Sequence, residues 1–269
     1  MDAMTLGSLN RREPRTRPTS LVLLFTLALL GFAGLSACGA GMEAEVAKQA
    51  DYHYQLAVNN FGANQATQAI RELTATLEAD PKHPEALHLL GFIYMGRKQY
   101  PEAIRNFRAA LEVKPDYYIC KNNLGVAYLY MERWDEAAEV FAELRTATLY
   151  TSPWLAYANL GWAYYQMGRL SEAVEETKMA LFLNPEMCLA SNNLGIMYHD
   201  QTNYEDAQMS FEEAIEACPG YAEPHLHLGQ LWAEAGDDSK AFSHYRKCTE
   251  LSPKSDMGQR CRKKMKAYR

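Results

Sequence analysis

Beyond its amino-terminal segment the chain sets apolar residues three and four apart, the spacing that places them on one face of a helix. Short polar turns interrupt the pattern, so it predicts a succession of amphipathic helices. A longer period lies over this one. Leu-Gly pairs return at Leu90-Gly91, Leu124-Gly125, Leu160-Gly161, Leu194-Gly195 and Leu228-Gly229, with glycines 34, 36, 34 and 34 residues apart. Three residues after each glycine stands an aromatic: Tyr94, Tyr128, Tyr164, Tyr198 and Trp232. Twelve after come Ala103, Ala137, Ala173, Ala207 and Ala241, and twenty-four after come Pro115, Pro185, Pro219 and Pro253, with Leu149 in the remaining slot.

Each slot has a packing reason. Glycine and alanine let two antiparallel helices approach at their crossing, and large side chains fill the space beside them. Phe107, Phe141, Phe211 and Tyr245, sixteen residues after their glycines, supply the bulk, and Thr177 breaks that series. The prolines end the second helix of each pair, since proline has no amide donor and clashes with the preceding turn. Gly96, Gly168 and Gly236 are expected to close the first helix in the left-handed conformation. A degenerate upstream copy reads Leu56-Ala57, Asn60, Ala69 and Pro81. Downstream, Asp256–Arg269 predicts a short basic helix begun by Ser255 or Asp256.

The period and residue set resemble the tetratricopeptide repeat, a helix–turn–helix unit of about 34 residues. The resemblance implies an all-α fold: a right-handed superhelical solenoid of six repeats (about 50–83, 84–117, 118–153, 154–187, 188–221 and 222–255) with a capping helix at 256–269. It also implies a concave face lined by residues one, four and five after each glycine. Here these are Phe92 and Met95; Val126, Leu129 and Tyr130; Trp162, Tyr165 and Gln166; Ile196, His199 and Asp200; then Gln230 and Glu234. The groove thus reads as apolar and aromatic in its middle and acidic at its end, and a contiguous exposed apolar patch marks a binding site. Packing inside the superhelix is the alternative reading, above all for Trp162. Asn123, Asn159 and Asn193, two residues before their glycines, offer amides that bond a partner's backbone or carbonyls within the repeat. The Lys/Arg cluster of a carboxylate clamp is missing from this face.

Residues 1–37 read as an export signal: Arg11, Arg12, Arg15 and Arg17 precede the apolar run Leu21–Leu30 and small residues. The run to Leu35 is shorter than the roughly 20 residues that span a bilayer. It ends Leu35-Ser36-Ala37-Cys38, which resembles the lipobox of bacterial lipoproteins. That resemblance implies cleavage before Cys38 and acylation of its thiol. Gly39 in place of aspartate implies an outer-membrane, periplasm-facing location. Residues 38–48 would hold the lipidated cysteine, a short tether and the start of the first helix.

Charge narrows the partners. The whole chain is −6; without residues 1–37, which carry Asp2, Glu13 and four arginines, it is −8. The tail from Asp256 contributes +5, so the solenoid body is about −13, which argues against nucleic acid. The basic tail reads as a solvated cap face, with anionic lipid or an acidic partner as the other possibilities. Beyond Cys38, five cysteines remain for an oxidising compartment. Hairpin geometry suggests Cys188 with Cys218 and Cys248 with Cys261, leaving Cys120; small buried thiols are the alternative. No C-x-x-C, H-E-x-x-H, G-x-S-x-G or phosphate loop occurs, so the chain reads as a non-enzyme without cofactor, metal or small-molecule substrate. His225 and His227 sit two apart on a helix and face different ways.

Among lipoproteins of this layout the chain most resembles the pilotins of type IV pilus machinery. The lipobox is followed almost at once by six repeats, and the junction Leu149-Tyr150-Thr151-Ser152-Pro153-Trp154 carries a two-residue insertion with Tyr-x-x-Pro. The resemblance implies an assembly factor that holds a secretin subunit in its groove and promotes secretin insertion and multimerisation. The alternative is an adaptor for another envelope machine: barrel assembly, polysaccharide export or recruitment of a peptidoglycan hydrolase. A third reading is a docking subunit for an enzyme.

Overall fold

A computed structural model describes residues 44–268. Cys38, the signal segment and most of the tether lie outside the described residues. Helices come in pairs along the chain. They are α1 (residues 44–62) and α2 (Ala66–Ala79), α3 (Pro84–Gly96) and α4 (Tyr100–Val113), α5 (Tyr118–Tyr130) and α6 (Trp134–Thr146). The pairs continue with α7 (Pro153–Gln166) and α8 (Leu170–Leu183), α9 (Cys188–Asp200) and α10 (Tyr204–Ala217), α11 (Glu223–Glu234) and α12 (Asp238–Leu251). A last helix, α13 (Asp256–Met265), packs on α12 and runs into a single turn at Lys266–Tyr268. Each helix touches its neighbours in sequence, and α5, α7, α9 and α11 also touch one another in turn. The result is a helical solenoid whose first helices form one continuous layer. No helix among the described residues is long and apolar enough to cross a membrane.

The repeat glycines sit against aromatic rings at the helix crossings. A Cβ added at Gly91 would lie 2.7 Å from Phe107, one at Gly125 2.6 Å from Phe141, and one at Gly229 2.6 Å from Tyr245. Those rings are completely or almost completely buried. In the fourth repeat Thr177 replaces the ring; its hydroxyl donates to the Ala173 carbonyl at 2.8 Å and faces Gly161. Of the aromatics three after the glycines, Tyr128, Tyr164, Tyr198 and Trp232 lie under cations. Arg133 lies 4.8 Å from the Tyr128 ring centre, Arg169 4.0 Å from Tyr164 and Lys240 3.6 Å from Trp232.

Each second helix stops two residues short of its proline, at Val113, Leu183, Ala217 and Leu251. The residue before each proline is pushed out of the helical region, as at Asn184 (φ −146°, ψ 92°). The turns inside the repeats differ from expectation at one glycine. Gly168 (φ 76°) and Gly236 (φ 78°) are left-handed, but Gly96 remains at the end of α3. The left-handed residue always falls seven after the repeat glycine, and in the second repeat that is Lys98 (φ 59°). Asn64, Glu132 and Thr202 fill the same slot in other repeats. A non-glycine residue there costs about 1–2 kcal/mol, which the buried crossing nearby can bear.

At the inserted junction, Tyr150 turns inward against Tyr118 (ring centres 6.2 Å apart), while Leu149 is left exposed. Pro153 then opens α7. Ser255, rather than Asp256, caps α13 by accepting from the Gly258 amide at 3.1 Å. Cys188 and Cys218 form a disulfide across the α9–α10 hairpin, with Cα atoms 5.8 Å apart. Cys248 and Cys261 form another between α12 and α13, with Cα atoms 6.0 Å apart. Cys120 is a buried thiol whose Sγ donates to the Phe107 carbonyl at 3.5 Å, and burial pushes its pKa up to about 12.

Candidate protein-binding groove

Residues seven apart on a helix return to nearly the same face, about 20° short of two full turns. On α5, α7, α9 and α11 this builds rows that run across the repeats. One row, one residue after the glycine, is Val126, Trp162, Ile196 and Gln230. A second, two before it, is Asn123, Asn159, Asn193 and His227. A third, six before it, is Ile119, Leu155, Leu189 and Glu223; its three aliphatic members are all exposed.

These rows enclose an open cavity of about 400 Å³ at the third to fifth repeats. Val126, Leu129 and Tyr130 form one wall, Asn159 and Trp162 the centre, and Leu189, Asn193 and Ile196 the other wall, with Glu223 at the rim. Seven of the sequence-expected groove residues therefore meet here. Tyr130 stacks on Tyr100 (5.1 Å, 7°) and stays largely exposed, so its ring is braced yet presents a face. Trp162 is half-buried, resting on Tyr165 at 5.1 Å. Its ring is thus partly packed and partly open to the cavity.

The other expected residues lie elsewhere. Phe92 is exposed and meets Phe61 edge-on (5.9 Å, 84°), and Met95 packs against the core of the second to fourth repeats. Both are on the groove's amino-terminal stretch, outside the cavity. Asn123 is already engaged: its amide donates to His88 Nε2 at 3.0 Å, and His88 Nδ1 pairs with the Tyr117 hydroxyl at 3.0 Å. Burial lowers the His88 pKa, against the pull of Glu85, so the ring stays neutral and accepts. Asn159 donates its amide to Asn122 Oδ1 over a long 3.5 Å and also lines the cavity. Tyr165 donates its hydroxyl to Asp200 Oδ2 at 2.7 Å; burial first, then Asp200, raise its pKa to about 12.

Ile196 is shared with a second cavity of about 210 Å³. Its walls are His199, Asp200 and Glu234, and its floor is Phe211, His227 and Gln230. His199 Nε2 sits 2.9 Å from Glu234 Oε2, and its Nδ1 3.8 Å from Asp200 Oδ1. The His227 ring stacks on Phe211 (5.2 Å, 14°), and its buried Nε2 has no hydrogen-bond partner among the described residues. His225 faces the other way, with Nδ1 3.1 Å from His244 Nδ1. The two histidines thus do not converge, and no group of three or more metal-ligating side chains exists among the described residues.

Sequence reasoning missed Leu189, Glu223 and His227. Their signal was the seven-residue return: each belongs to a row whose other members follow the repeat period. The surface that results is concave, apolar at its centre and lined by amides, the character of a site for a polypeptide segment.

Tetratricopeptide repeat models match residues 82–148, 122–187 and 186–254, more than half of the chain. No curated protein matches the sequence. Among solved structures the chain is similar to PilW, a widely conserved type IV pilus biogenesis factor. Identity is 23%, with 78% of this chain and 97% of that one covered at a TM-score of 0.70. It is also similar to PilF of Pseudomonas aeruginosa (22% identity, 81% and 99% covered, TM-score 0.67). Cut9, from the APC/C hetero-tetramer Cut9–Hcn1, is comparable in shape (16% identity, 84% and 45% covered, TM-score 0.68), so these likenesses establish the fold and not the partner. The in-register glycines, their facing rings and the matching repeats agree: the chain belongs to the tetratricopeptide-repeat family.

Proposed function

We propose that this protein is a lipid-anchored pilotin of the outer membrane. It is a non-enzymatic factor that holds a secretin subunit in the concave groove and promotes its insertion and multimerisation for type IV pilus assembly. The observation that carries the reading is the groove itself: an apolar, amide-lined cavity built from three successive repeats. The likeness in fold to PilW, a type IV pilus biogenesis factor, and to PilF, over most of their lengths, directs the reading to this machine. The lipobox-like Leu35-Ser36-Ala37-Cys38 supplies the anchor, with acyl chains on Cys38. Two or more chains give stable membrane attachment, where one gives only marginal binding.

The test is secretin multimerisation in cells carrying Trp162→Ala together with Tyr130→Ala. Aromatic anchors often cost 2 kcal/mol or more on truncation, roughly a thirtyfold loss of affinity each. Heat-stable secretin multimers should disappear while helical content and membrane fractionation persist. Normal multimers in a strain lacking the gene would remove the pilotin reading and leave an adaptor for another envelope machine.

A further inference from the structure

The groove does not end at the acidic cavity. Gln230 is shared between that cavity and a third one of about 500 Å³, closed by the capping helix. Its floor is Leu226, Ala267 and Tyr268, and its charged wall is Arg260, Lys263 and Lys264. Leu226 belongs to the buried core of the last repeat and Gln230 to the groove row of α11; α13 packs on α12 as each first helix packs on the second helix before it. Each cavity thus shares one lining residue with the next, Ile196 between the first and second and Gln230 between the second and third.

Their chemistry changes in a fixed order. The first is apolar at its centre, with Asn159, Asn193 and Glu223 among its lining residues. In the second, the carboxylates of Asp200 and Glu234 flank His199, with the His227 ring on the floor, so two carboxylates stand there with no lysine or arginine among the lining residues. In the third, three cations line the wall without a carboxylate among its lining residues. Neighbouring helix axes lie about 8–10 Å apart, so each step along the groove equals about three residues of extended chain.

Resting on the groove reading above, we propose that the groove selects a partner segment by the order of its side chains: apolar, then Lys/Arg, then Asp/Glu. The occupant is a polypeptide of alternating sign, matched to the wall by charge at two places and by burial at one. A uniformly basic segment satisfies the acidic cavity but meets the capping-helix cations. A uniformly acidic one fails at Asp200 and Glu234. Order, not net charge, carries the specificity, because juxtaposed like charges penalise the wrong register.

The test uses the soluble chain from residue 39 and fluorescein-labelled peptides of about twelve residues in three blocks. One peptide is apolar–basic–acidic, one is apolar–acidic–basic with the same composition, and both are also made in the reversed chain direction. Fluorescence anisotropy should show the first order, in one of its two directions, binding at least tenfold more tightly than either version of the second order. Loss of a charged hydrogen-bond partner weakens binding about tenfold. Glu234→Gln should therefore weaken the matched peptide about tenfold and leave an apolar-only peptide unchanged. Lys263→Gln should act in the same direction. Equal affinity for the two orders, or a matched peptide indifferent to both substitutions, overturns the proposal. Ordered binding by the purified chain in the face of normal secretin multimers without the gene would sink the pilotin reading and leave this one standing.

Discussion

Glycine-to-alanine substitutions test the packing logic because the same change should stabilise at one place and destabilise, for different reasons, at two others. At Gly125 the new methyl would fall 2.6, 2.7 and 3.0 Å from three atoms of the Phe141 ring. That ring is fully buried and has nowhere to retreat. Overpacking of this kind costs about 1–3 kcal/mol, while alanine's better helix propensity returns at most about 1 kcal/mol. The net effect of Gly125→Ala is a loss of about 1–2 kcal/mol. Gly96 is helical and meets no atom within 4 Å, so Gly96→Ala should stabilise by about 0.5–1 kcal/mol. Gly168 also has open space but sits at φ 76°, so Gly168→Ala should cost about 1–2 kcal/mol through the backbone alone. Urea denaturation followed by circular dichroism, with disulfides intact, reads all three. A Gly125→Ala variant as stable as the parent, or a destabilised Gly96→Ala, would refute the crossing argument.

Four further outcomes can be checked. Cys38→Ser should release the protein from the outer-membrane fraction; unchanged fractionation of that variant in high salt would remove the lipoprotein reading. Peptide mapping without reductant should return Cys188–Cys218 and Cys248–Cys261 links and no other. His225 is held down to about pKa 4 by burial, then by His244 and Lys247, and burial lowers His244 as well despite Glu212. An unfolded histidine near 6.5 binds protons that the folded one refuses. Stability contributed by this pair is therefore complete above pH 6.5 and declines as pH falls toward about 4. Denaturation midpoints of His225→Gln should show a flatter slope across that window, and an unaltered slope contradicts the assignment. Gly258→Ala should shift α13 on its seat while the Cys248–Cys261 link still holds it, since the new methyl would strike the Ser252 carbonyl; loss of the Tyr268–Tyr245 stack would register in near-ultraviolet dichroism.

Much of the fold was legible because the repeat slots are fixed by sterics. Gly125 must be small since Phe141 lies on it, and Leu183 ends a helix because Pro185 follows. The left-handed turn was misread at Gly96 because that slot tolerates side chains: Lys98, Glu132 and Thr202 occupy it as readily as Gly168. At the groove, Trp162 and Ile196 stood out by their distance from the glycines. Leu189 and Glu223 did not, as their shared face emerges only after two full turns of helix. Asn123 looked equivalent to Asn159, yet His88, a residue of a different repeat, absorbs its amide. Such cross-repeat bonds depend on how the units stack, which spacing within one unit does not encode.

Both disulfides lie in the carboxy-terminal third, one across the α9–α10 hairpin and one tying the cap to the last repeat. In a solenoid each unit is held only by its neighbours, so cross-links at one end make opening directional. With the carboxy-terminal end stapled, opening is expected to start from the amino-terminal side. Cys120 is a built-in reporter of that front: shielded and held as the thiol, it becomes alkylatable only when the second and third repeats part. The end that would face the lipid anchor is thus the yielding one, and the acidic and basic cavities ride on the rigid one.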